Sequence, residues 1–221
     1  MEIIHYLDSI DKQLLLALNN DYALFWDNLM LLITAKLVWI PFYASILYVV
    51  IKNWKKESWL IVLGLILCIV IADQTASGFL KNMVQRYRPS KDPSLDDLVV
   101  IVNGVRGGGL YGFVSSHAAN TFSLALLTSL LFRNKVYIIV AFIWTVVVSY
   151  SRIYLAVHYP GDILGGMLVG AGAALLIYWL LKKLRPQLFE KQSHPVCSQV
   201  LIPVFVLALS FLLMIVYSAV A

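Results

Sequence analysis

The sequence predicts an all-α, polytopic membrane protein with six transmembrane helices and a short N-terminal helix in the membrane interface. Of its 221 residues, 61% are hydrophobic and only 13% are charged, whereas about a quarter of the residues of soluble domains are charged. The hydrophobic residues form long runs without the alternation of a membrane β-barrel. Helices satisfy their own backbone hydrogen bonds in lipid. We therefore expect one membrane-embedded domain over residues 1–221.

The N-terminal segment has the pattern of an amphipathic helix. Over residues 3–18, isoleucines and leucines recur at helical spacing, opposite Asp8, Asp11 and Lys12. The segment is too short and too charged to span a bilayer, so we expect it to lie along the interface. The first 27 residues hold five carboxylates and a single lysine. This is unlike the basic start of a signal peptide, so we expect no removable leader.

Six apolar runs follow, and a helix needs roughly 20 apolar residues to cross a bilayer. The runs extend over about 30–51, 59–80, 117–132, 136–150, 163–181 and 200–220. The connections after the first, third and fifth runs hold nine basic residues: Lys52, Lys55, Lys56, Arg133, Lys135, Lys182, Lys183, Arg185 and Lys191. By the positive-inside rule this side faces the cytoplasm. The opposite side, which in a bacterial inner membrane is the periplasm, receives both termini and the 81–116 and 151–162 connections.

The 81–116 connection is too long for a simple link. Lys81 and Arg88 stand at its start, followed by Pro89. The pair fits two interpretations: both side chains bind one phosphate, the arginine as a planar fork and the lysine as a point charge, or both anchor a helix end among lipid headgroups. The glycine-rich stretch GVRGGGLYGF lacks the Gly-Lys-Ser/Thr of a Walker loop. We expect a flexible lid or a close backbone approach there.

Ser115, Ser116 and His117 stand where the third run begins. Serine is a favoured helix cap, and capping alone would explain the pattern. The same geometry offers a phosphate site, because the free N–H groups and the positive dipole end of a helix attract anions. His117 would then stand beside the anion and donate a proton to a leaving oxygen, since histidine titrates near neutral pH.

The segment 151–162, SRIYLAVHYPGD, places three chemically active side chains between two apolar runs. Pro160 suits the first turn of a helix, so Asp162 can bond one ring nitrogen of His158 and leave the other free for nucleophilic attack. Arg152 would add a second guanidinium to the same phosphate. The alternative is a structural His–Asp bond with an anchoring arginine.

Counting the runs places all of these residues on one side of the membrane, although they come from three separate segments. The combination of these residues resembles the type-2 phosphatidic acid phosphatase superfamily, also called lipid phosphate phosphatases. The motifs of that superfamily are K-x6-R-P, P-S-G-H and S-R-x5-H-x3-D. The first motif matches at Lys81, Arg88 and Pro89, and the third at Ser151, Arg152, His158 and Asp162. The second reads Val114-Ser115-Ser116-His117, without the family's proline and glycine. This departure affects the shape of the loop more than its chemistry.

The resemblance implies a lipid phosphatase that works through a phosphohistidine. His158, oriented by Asp162, attacks phosphorus; His117 protonates the departing oxygen, and water then hydrolyses the intermediate. The resemblance and the helix-end geometry together assign the phosphate oxygens to Lys81, Arg88, Ser115, Ser116 and Arg152. We expect no cofactor and no metal, because the sequence offers no convincing cluster of carboxylates for one.

The expected partners are a phospholipid or isoprenoid phosphate as substrate and the membrane lipids, with no nucleic acid. Undecaprenyl diphosphate, phosphatidylglycerophosphate, phosphatidic acid and lipid A phosphates all suit an outward-facing site in a bacterial envelope. Two alternatives stay open. A phosphoryl transferase between lipids would use the same residues, and a small transporter would also carry charges within its spans, although the chain shows no clear internal repeat.

Lys36 and Asp73 lie within the first two runs, each roughly 10 Å below the outer surface at 1.5 Å per residue. We expect them to pair, either as a structural salt bridge or as a lining of the substrate's path that contacts a second phosphate or a headgroup; independent snorkelling of the lysine is the alternative. Small residues that let a neighbouring helix approach closely are Gly161, Gly165, Gly166 and Gly170.

Overall fold

The computed structural model describes residues 2–20, 23–189 and 197–221, and these ranges contain helices and no β-strand. The α-helices of this part are α1 (Glu2–Leu18), α2 (Leu24–Thr34), α3 (Ile40–Trp54), α4 (Ser58–Asp73), α5 (Lys81–Val84), α6 (Ser116–Phe132), α7 (Lys135–Tyr154), α8 (Pro160–Leu184) and α9 (Cys197–Val220). Lys191, which entered the expectation for membrane orientation, lies outside the described residues. The prediction of an all-α protein is confirmed for the described ranges.

Four helical runs in the described ranges are long and apolar enough to cross a membrane: Lys36–Val84, Lys135–Tyr154, Pro160–Leu184 and Ser198–Val220. The chain is thus a multi-pass membrane protein, but the predicted count of six spans is not confirmed. One reason is that the first two predicted runs fall largely within the single run Lys36–Val84. The other is that α6, the third predicted run, has only 17 residues and carries several hydroxyl side chains.

The first predicted run is interrupted at Ala35. This residue has an extended backbone, with φ −74° and ψ 120°, and it ends α2. A 3-10 turn over Lys36–Trp39 then leads into α3. The hydrophobicity of the run does not reveal this break, because apolar residues continue through it.

The run Lys36–Val84 reverses direction near its middle. Lys55 ends α3 with a φ of 45°, and the 3-10 turn Lys55–Glu57 leads into α4. Lys36 and Lys81, near the two ends of the run, line the same cavity. The arms α3 and α4 are therefore antiparallel, with the lysine-rich turn at one end and the cavity towards the other.

The contact between α6 and α8 is the most extensive between any two helices in the described part of the chain. A Cβ atom placed on Gly166 would meet the carbonyl oxygen of Ser115, and one on Gly170 would meet that of Ala119. The prediction that these glycines allow close helix approach is confirmed. The close contact brings the start of α6 beside the start of α8.

Helix α1 packs against α7 and α8, and its polar face is bound to protein. Asp8 and Asp11 bond to Arg86 of the outer loop, while the Asp11 carboxylate also accepts the backbone N–H of Gly161 at 2.7 Å. Ile3, Leu7 and Leu14 are exposed. An exposed apolar face opposite a docked polar face is what a helix in the membrane interface would present to lipid.

Candidate active site

A cavity of about 700 Å³ lies between α3, α4, α6 and α7. Of the residues that the sequence assigned to catalysis or to phosphate, those that line it are Lys81, Arg88, Ser116, His117, Arg152 and His158. They lie near the ends of helices or in the outer loops. Apolar side chains from the middle of the α3 and α4 arms line the cavity as well, including Ile46, Leu47, Leu65 and Ile69. The cavity therefore combines a polar part with an apolar part that suits lipid chains.

His158 is 2% exposed and bonded through both ring nitrogens. Its Nδ1 lies 3.3 Å from Oδ2 of Asp162, and its Nε2 lies 3.1 Å from Nη1 of Arg88. A guanidinium only donates hydrogen bonds, so Nε2 is the acceptor and carries the lone pair. Nδ1 then carries the proton and donates to the carboxylate. In this tautomer the lone pair of Nε2 accepts the Arg88 hydrogen bond, and a ligand that takes over the guanidinium would free it.

The ring of His158 is neutral at neutral pH. Burial lowers its pKa well below the ordinary value, and the positive charges of Arg88, Arg152 and Lys81 lower it further. A neutral imidazole has the lone pair that attack on phosphorus requires. The cationic surroundings thus maintain the nucleophilic form while attracting an anionic substrate.

A tight turn between α7 and α8 positions His158. The carbonyl oxygen of Arg152 accepts the backbone N–H groups of Val157 and His158, and Ala156 adopts a left-handed conformation with φ 51°. Pro160 then starts α8. Asp162 accepts the backbone N–H of Tyr159 at 3.1 Å. This bond holds the carboxylate within reach of Nδ1 of His158.

Arg88 is 5% exposed and held by backbone carbonyls. It donates to Gly108 at 2.8 Å through Nη2 and to Val157 at 3.0 Å through Nη1. Gly107 has φ +69°, and a Cβ atom there would lie 3.3 Å from the side chain of Arg88. For the glycine-rich stretch the sequence predicts either a flexible lid or a close backbone approach, and the structure shows the close approach. The stretch fixes the guanidinium beside Nε2 of His158.

Lys81 lines the cavity together with two serines, Ser77 and Ser116. Its Nζ donates to Oγ of Ser116 at 2.7 Å, and that hydroxyl lies 2.6 Å from Oγ of Ser77. Ser77 belongs to a π-helical segment, Gln74–Leu80, at the end of the α4 arm; such segments are frequent at functional sites. Ser77 was missed in the sequence, although its position four residues before Lys81 places it on the same helix face.

Ser115 does not line the cavity. It is fully buried, and its hydroxyl caps α6 by accepting the backbone N–H of Ala118 at 3.4 Å. Its own N–H donates to the carbonyl oxygen of Asp162 at 2.9 Å. The capping interpretation describes this residue, and the bond ties the start of α6 to the start of α8.

Arg152 supplies another cation to the cavity wall. It is 8% exposed, and its Nη1 donates to the hydroxyl of Thr34. Its Nε has no partner within the described ranges. Buried side-chain polar atoms are bonded in the large majority of cases, so this unpaired donor calls for an explanation.

Arg86 connects helix α1 to the catalytic candidates, and sequence reasoning missed this role. Its Nη1 donates to Asp11 at 2.6 Å and to Oδ1 of Asp162 at 3.2 Å, while its Nη2 donates to Asp8 at 2.8 Å. The guanidinium also lies 3.8 Å from the ring centre of Tyr159. No sequence signal links residues so far apart along the chain. Asp162 is consequently held by Arg86 on one oxygen and by His158 on the other.

Among the residues that the structure describes, no group of three or more His, Cys, Asp or Glu side chains could hold a metal ion. The basic side chains that line the cavity are Lys36, Lys81, Arg88 and Arg152. The expected independence from metal stays a prediction, to be tested with a chelator.

Comparison with known proteins gives a family and several relatives. The profile described as PAP2 superfamily matches residues 58–186. A lipid A 4'-phosphatase of Bacteroides thetaiotaomicron is 43% identical over 195 residues, which cover 87% of this chain and 86% of that protein. A lipid A 4'-phosphatase of Porphyromonas gingivalis is 40% identical over 178 residues, or 79% of this chain and 74% of that protein. A phosphatidylglycerophosphatase B of Bacillus subtilis is 29% identical over 140 residues, or 59% of this chain and 58% of that protein. No solved structure gave a significant match.

Proposed function

The chain belongs to the PAP2 superfamily of lipid phosphatases, as its motifs predicted, and we propose that it removes the 4'-phosphate of lipid A. The observation that carries the proposed chemistry is the bonding of His158, with Nδ1 on Asp162 and Nε2 facing the cavity beside Arg88. The substrate is supported by the two relatives called lipid A 4'-phosphatase, which are 43% and 40% identical to this chain. An apolar cavity wall suits the acyl chains of such a substrate.

In the proposed reaction, Nε2 of His158 forms a bond to phosphorus as the bond between phosphorus and the sugar oxygen breaks. His117 gives a proton to that oxygen, which leaves as a hydroxyl group. Water then gives a proton to His117 and attacks the phosphohistidine, the bond between Nε2 and phosphorus breaks, and inorganic phosphate leaves with restoration of the free imidazole. Positioning and charge stabilisation dominate phosphoryl transfer. They are assigned to Lys81, Arg88, Arg152 and Ser116, and we assign Ser115 the structural task of holding α6 against α8.

Asp162 receives a supporting role that extends to helix α1. Its carboxylate fixes the tautomer of His158, and Arg86 holds the carboxylate in place while bonded to Asp8 and Asp11. We assign Arg86 as a positioning residue, since Asp162 separates it from the imidazole.

We propose six membrane passages in a single domain over residues 1–221, with 81–116 as the outer active-site loop. The reversal at Lys55 divides the run Lys36–Val84 into two arms, and α6, α7, α8 and α9 supply the others. The basic turn at Lys55 lies at the opposite end of α3 and α4 from the polar cavity residues. By the positive-inside rule the site then faces the periplasmic side of a bacterial inner membrane.

A panel of lipids tests the proposed substrate. Purified protein in detergent should release inorganic phosphate faster from lipid A than from undecaprenyl diphosphate, phosphatidylglycerophosphate or phosphatidic acid. A higher rate with one of the other three would contradict the substrate. Movement of the phosphate onto a second lipid, without free phosphate, would instead favour a transferase.

Phosphate release should be unchanged by EDTA, because the charges proposed to hold the phosphate come from lysine and arginine side chains. The measurement compares initial rates for protein purified and assayed with and without the chelator. An alkaline phosphatase that uses zinc serves as the control for effective chelation. Loss of activity in EDTA, restored by a divalent cation, would refute a metal-independent mechanism.

The pH dependence should reflect the lowered pKa of His158. Since only the neutral ring attacks, and its pKa lies well below the ordinary value, the acid limb of kcat/KM should lie below pH about 6.5. The ionisation of the substrate's own phosphate must be measured by ³¹P NMR in the same micelles and divided out. An acid limb at or above the ordinary histidine pKa would contradict a buried, neutral nucleophile.

A further inference from the structure

The cavity carries polar side chains that the proposed phosphate chemistry does not use. Asp73, Asn120 and Trp144 line it together with the residues assigned to phosphate. Asn120 lies four residues beyond Ser116 on α6, or about 6 Å along the helix axis at 1.5 Å per residue. Asp73 precedes the π-helical segment that carries Ser77. These groups therefore lie deeper along α4 and α6 than the assigned phosphate ligands.

Asp73 bonds to Asn120 and not to the lysine that the sequence suggested. Nδ2 of Asn120 donates to Oδ1 of Asp73 at 2.9 Å, whereas Lys36 and Asp73 form no ion pair in the described part of the molecule. The expectation of that pair is therefore wrong. A carboxylate only accepts hydrogen bonds, so the amide nitrogen must face Asp73 and the amide oxygen must point elsewhere.

That amide oxygen is a buried acceptor without a partner. Oδ1 of Asn120 makes no hydrogen bond within residues 2–20, 23–189 and 197–221. Buried side-chain polar atoms are bonded in the large majority of cases, and an unbonded one calls for an explanation. Because Asn120 and Asp73 both line the cavity, the acceptor oxygens of the two side chains belong to its wall.

Trp144 provides the complementary donor. Its side chain is 0% exposed, and its rings pack at 5.0 Å from Phe42 and 5.7 Å from Trp39 between ring centres. Its Nε1 nevertheless has no hydrogen-bond partner among the described residues. A buried indole N–H usually finds a partner. The residues that line the cavity thus include one buried, unpaired acceptor on Asn120 and one buried, unpaired donor on Trp144.

We propose that Asp73, Asn120 and Trp144 form a headgroup subsite, which binds hydroxyl and amide groups of the glucosamine unit that carries the phosphate. This rests on the proposed function and sharpens it. A glucosamine unit with hydroxyacyl chains has O–H and N–H donors for the two acceptors and carbonyl oxygens for the indole. Phosphatidic acid has ester acceptors but no hydroxyl or amide donor, and the isoprenoid chain of undecaprenyl diphosphate has neither. The subsite therefore selects an aminosugar lipid over these phosphates.

The test compares kcat/KM for lipid A with kcat/KM for phosphatidic acid in purified full-length protein. In Asn120→Ala, the ratio of the two should fall roughly 10-fold or more, because the change removes a hydrogen bond made to lipid A alone. Trp144→Phe removes a donor that the ester carbonyls of phosphatidic acid can also use, so it should lower both values of kcat/KM. Trp144→Phe keeps one aromatic ring in the packing and removes the N–H donor together with the volume of the second ring, a volume change that Trp54→Phe reproduces elsewhere.

Two matched variants control for nonspecific effects. Ser123→Ala changes a buried polar residue of α6 that does not line the cavity. Trp54→Phe removes an indole N–H that donates to Leu188 at 3.1 Å, at the opposite end of α3. Neither should change the ratio, and the thermal midpoint of each protein reports on its fold.

Different outcomes overturn different claims. Equal loss on both substrates, or no loss on either, in Asn120→Ala would refute the subsite and leave the phosphatase intact. Unchanged kcat/KM for both substrates in Trp144→Phe would refute the part assigned to the indole. A wild-type protein that hydrolyses phosphatidic acid but not lipid A would refute the proposed substrate, and the aminosugar subsite with it. A selective loss with lipid A supports both.

Discussion

His158→Ala should abolish phosphate release, lowering kcat by roughly 10⁴-fold or more, as removal of an enzymatic nucleophile does. The reason is chemical: the variant has no Nε2 to bond with phosphorus, and the arginine guanidinium groups on the cavity wall remain protonated and cannot replace it. The measurement is the rate of phosphate release in detergent, with the thermal midpoint as a check on the fold. Retention of more than a few per cent of the activity would refute the assignment.

A second variant separates loss of chemistry from loss of structure. His158→Gln retains a side-chain N–H that can donate to Asp162, so the buried carboxylate is not left unpaired. It should be as inactive as His158→Ala but more stable. His5→Ala, which changes an exposed histidine of α1, is the matched control and should keep wild-type activity.

Gly166→Val should destabilise the protein and reduce activity. The Cβ atom of the new residue would collide with the carbonyl oxygen of Ser115, which is backbone and cannot rotate away. Forcing extra atoms into a packed contact costs about 1–3 kcal/mol or more, and backbone contact places this case at the upper end. Separating α6 from α8 would also strain the 2.9 Å bond between Ser115 and Asp162, so activity should fall with stability.

Gly172→Val is the control for this substitution. It lies on the same helix, but nothing lies within 4 Å of a Cβ atom placed there. Its thermal midpoint and its activity should remain close to those of the wild type. Equal destabilisation by both variants would show that valine is disfavoured in α8 for reasons other than contact with α6.

The sequence was sufficient for those features that depend on local pattern. Long apolar runs predicted the helices of the membrane domain, and the spacing of Lys81, Arg88, Arg152, His158 and Asp162 matched a family that the comparisons then showed. The glycine spacing in α8 predicted its close approach to a neighbour. Each of these signals lies within a stretch of consecutive residues, where helical periodicity and motif spacing are informative.

Features that depend on distant contacts were not predictable. The interruption at Ala35 leaves no mark in hydrophobicity, because apolar residues continue on both sides of it. The mostly polar residues 52–58 separate the first two predicted runs, and their pattern does not reveal that helical backbone continues through them. In the sequence, Arg86 cannot be distinguished from other basic loop residues, because its partners Asp8 and Asp11 lie on the distant helix α1. Ser115 and Ser116 are adjacent, and only the direction of each side chain distinguishes the cap from the cavity residue.

The Lys36–Asp73 pair illustrates the same limit. Opposite charges at equal depth suggested an ion pair, but a polar residue of a third helix, Asn120, is the partner of Asp73. Depth along a helix can be counted from the sequence. The rotation of the helix, which decides the partner, depends on packing against its neighbours.

The covalent step can be observed by rapid quenching of wild-type protein mixed with lipid A that is radiolabelled in its 4'-phosphate. We expect transient label on the protein, stable to alkali and lost in acid as a phosphohistidine is, and mapping to His158 by mass spectrometry. The His158→Gln protein should acquire none. Labelling of another residue, or turnover with no label on the protein at any time, would contradict a phosphatase that works through His158.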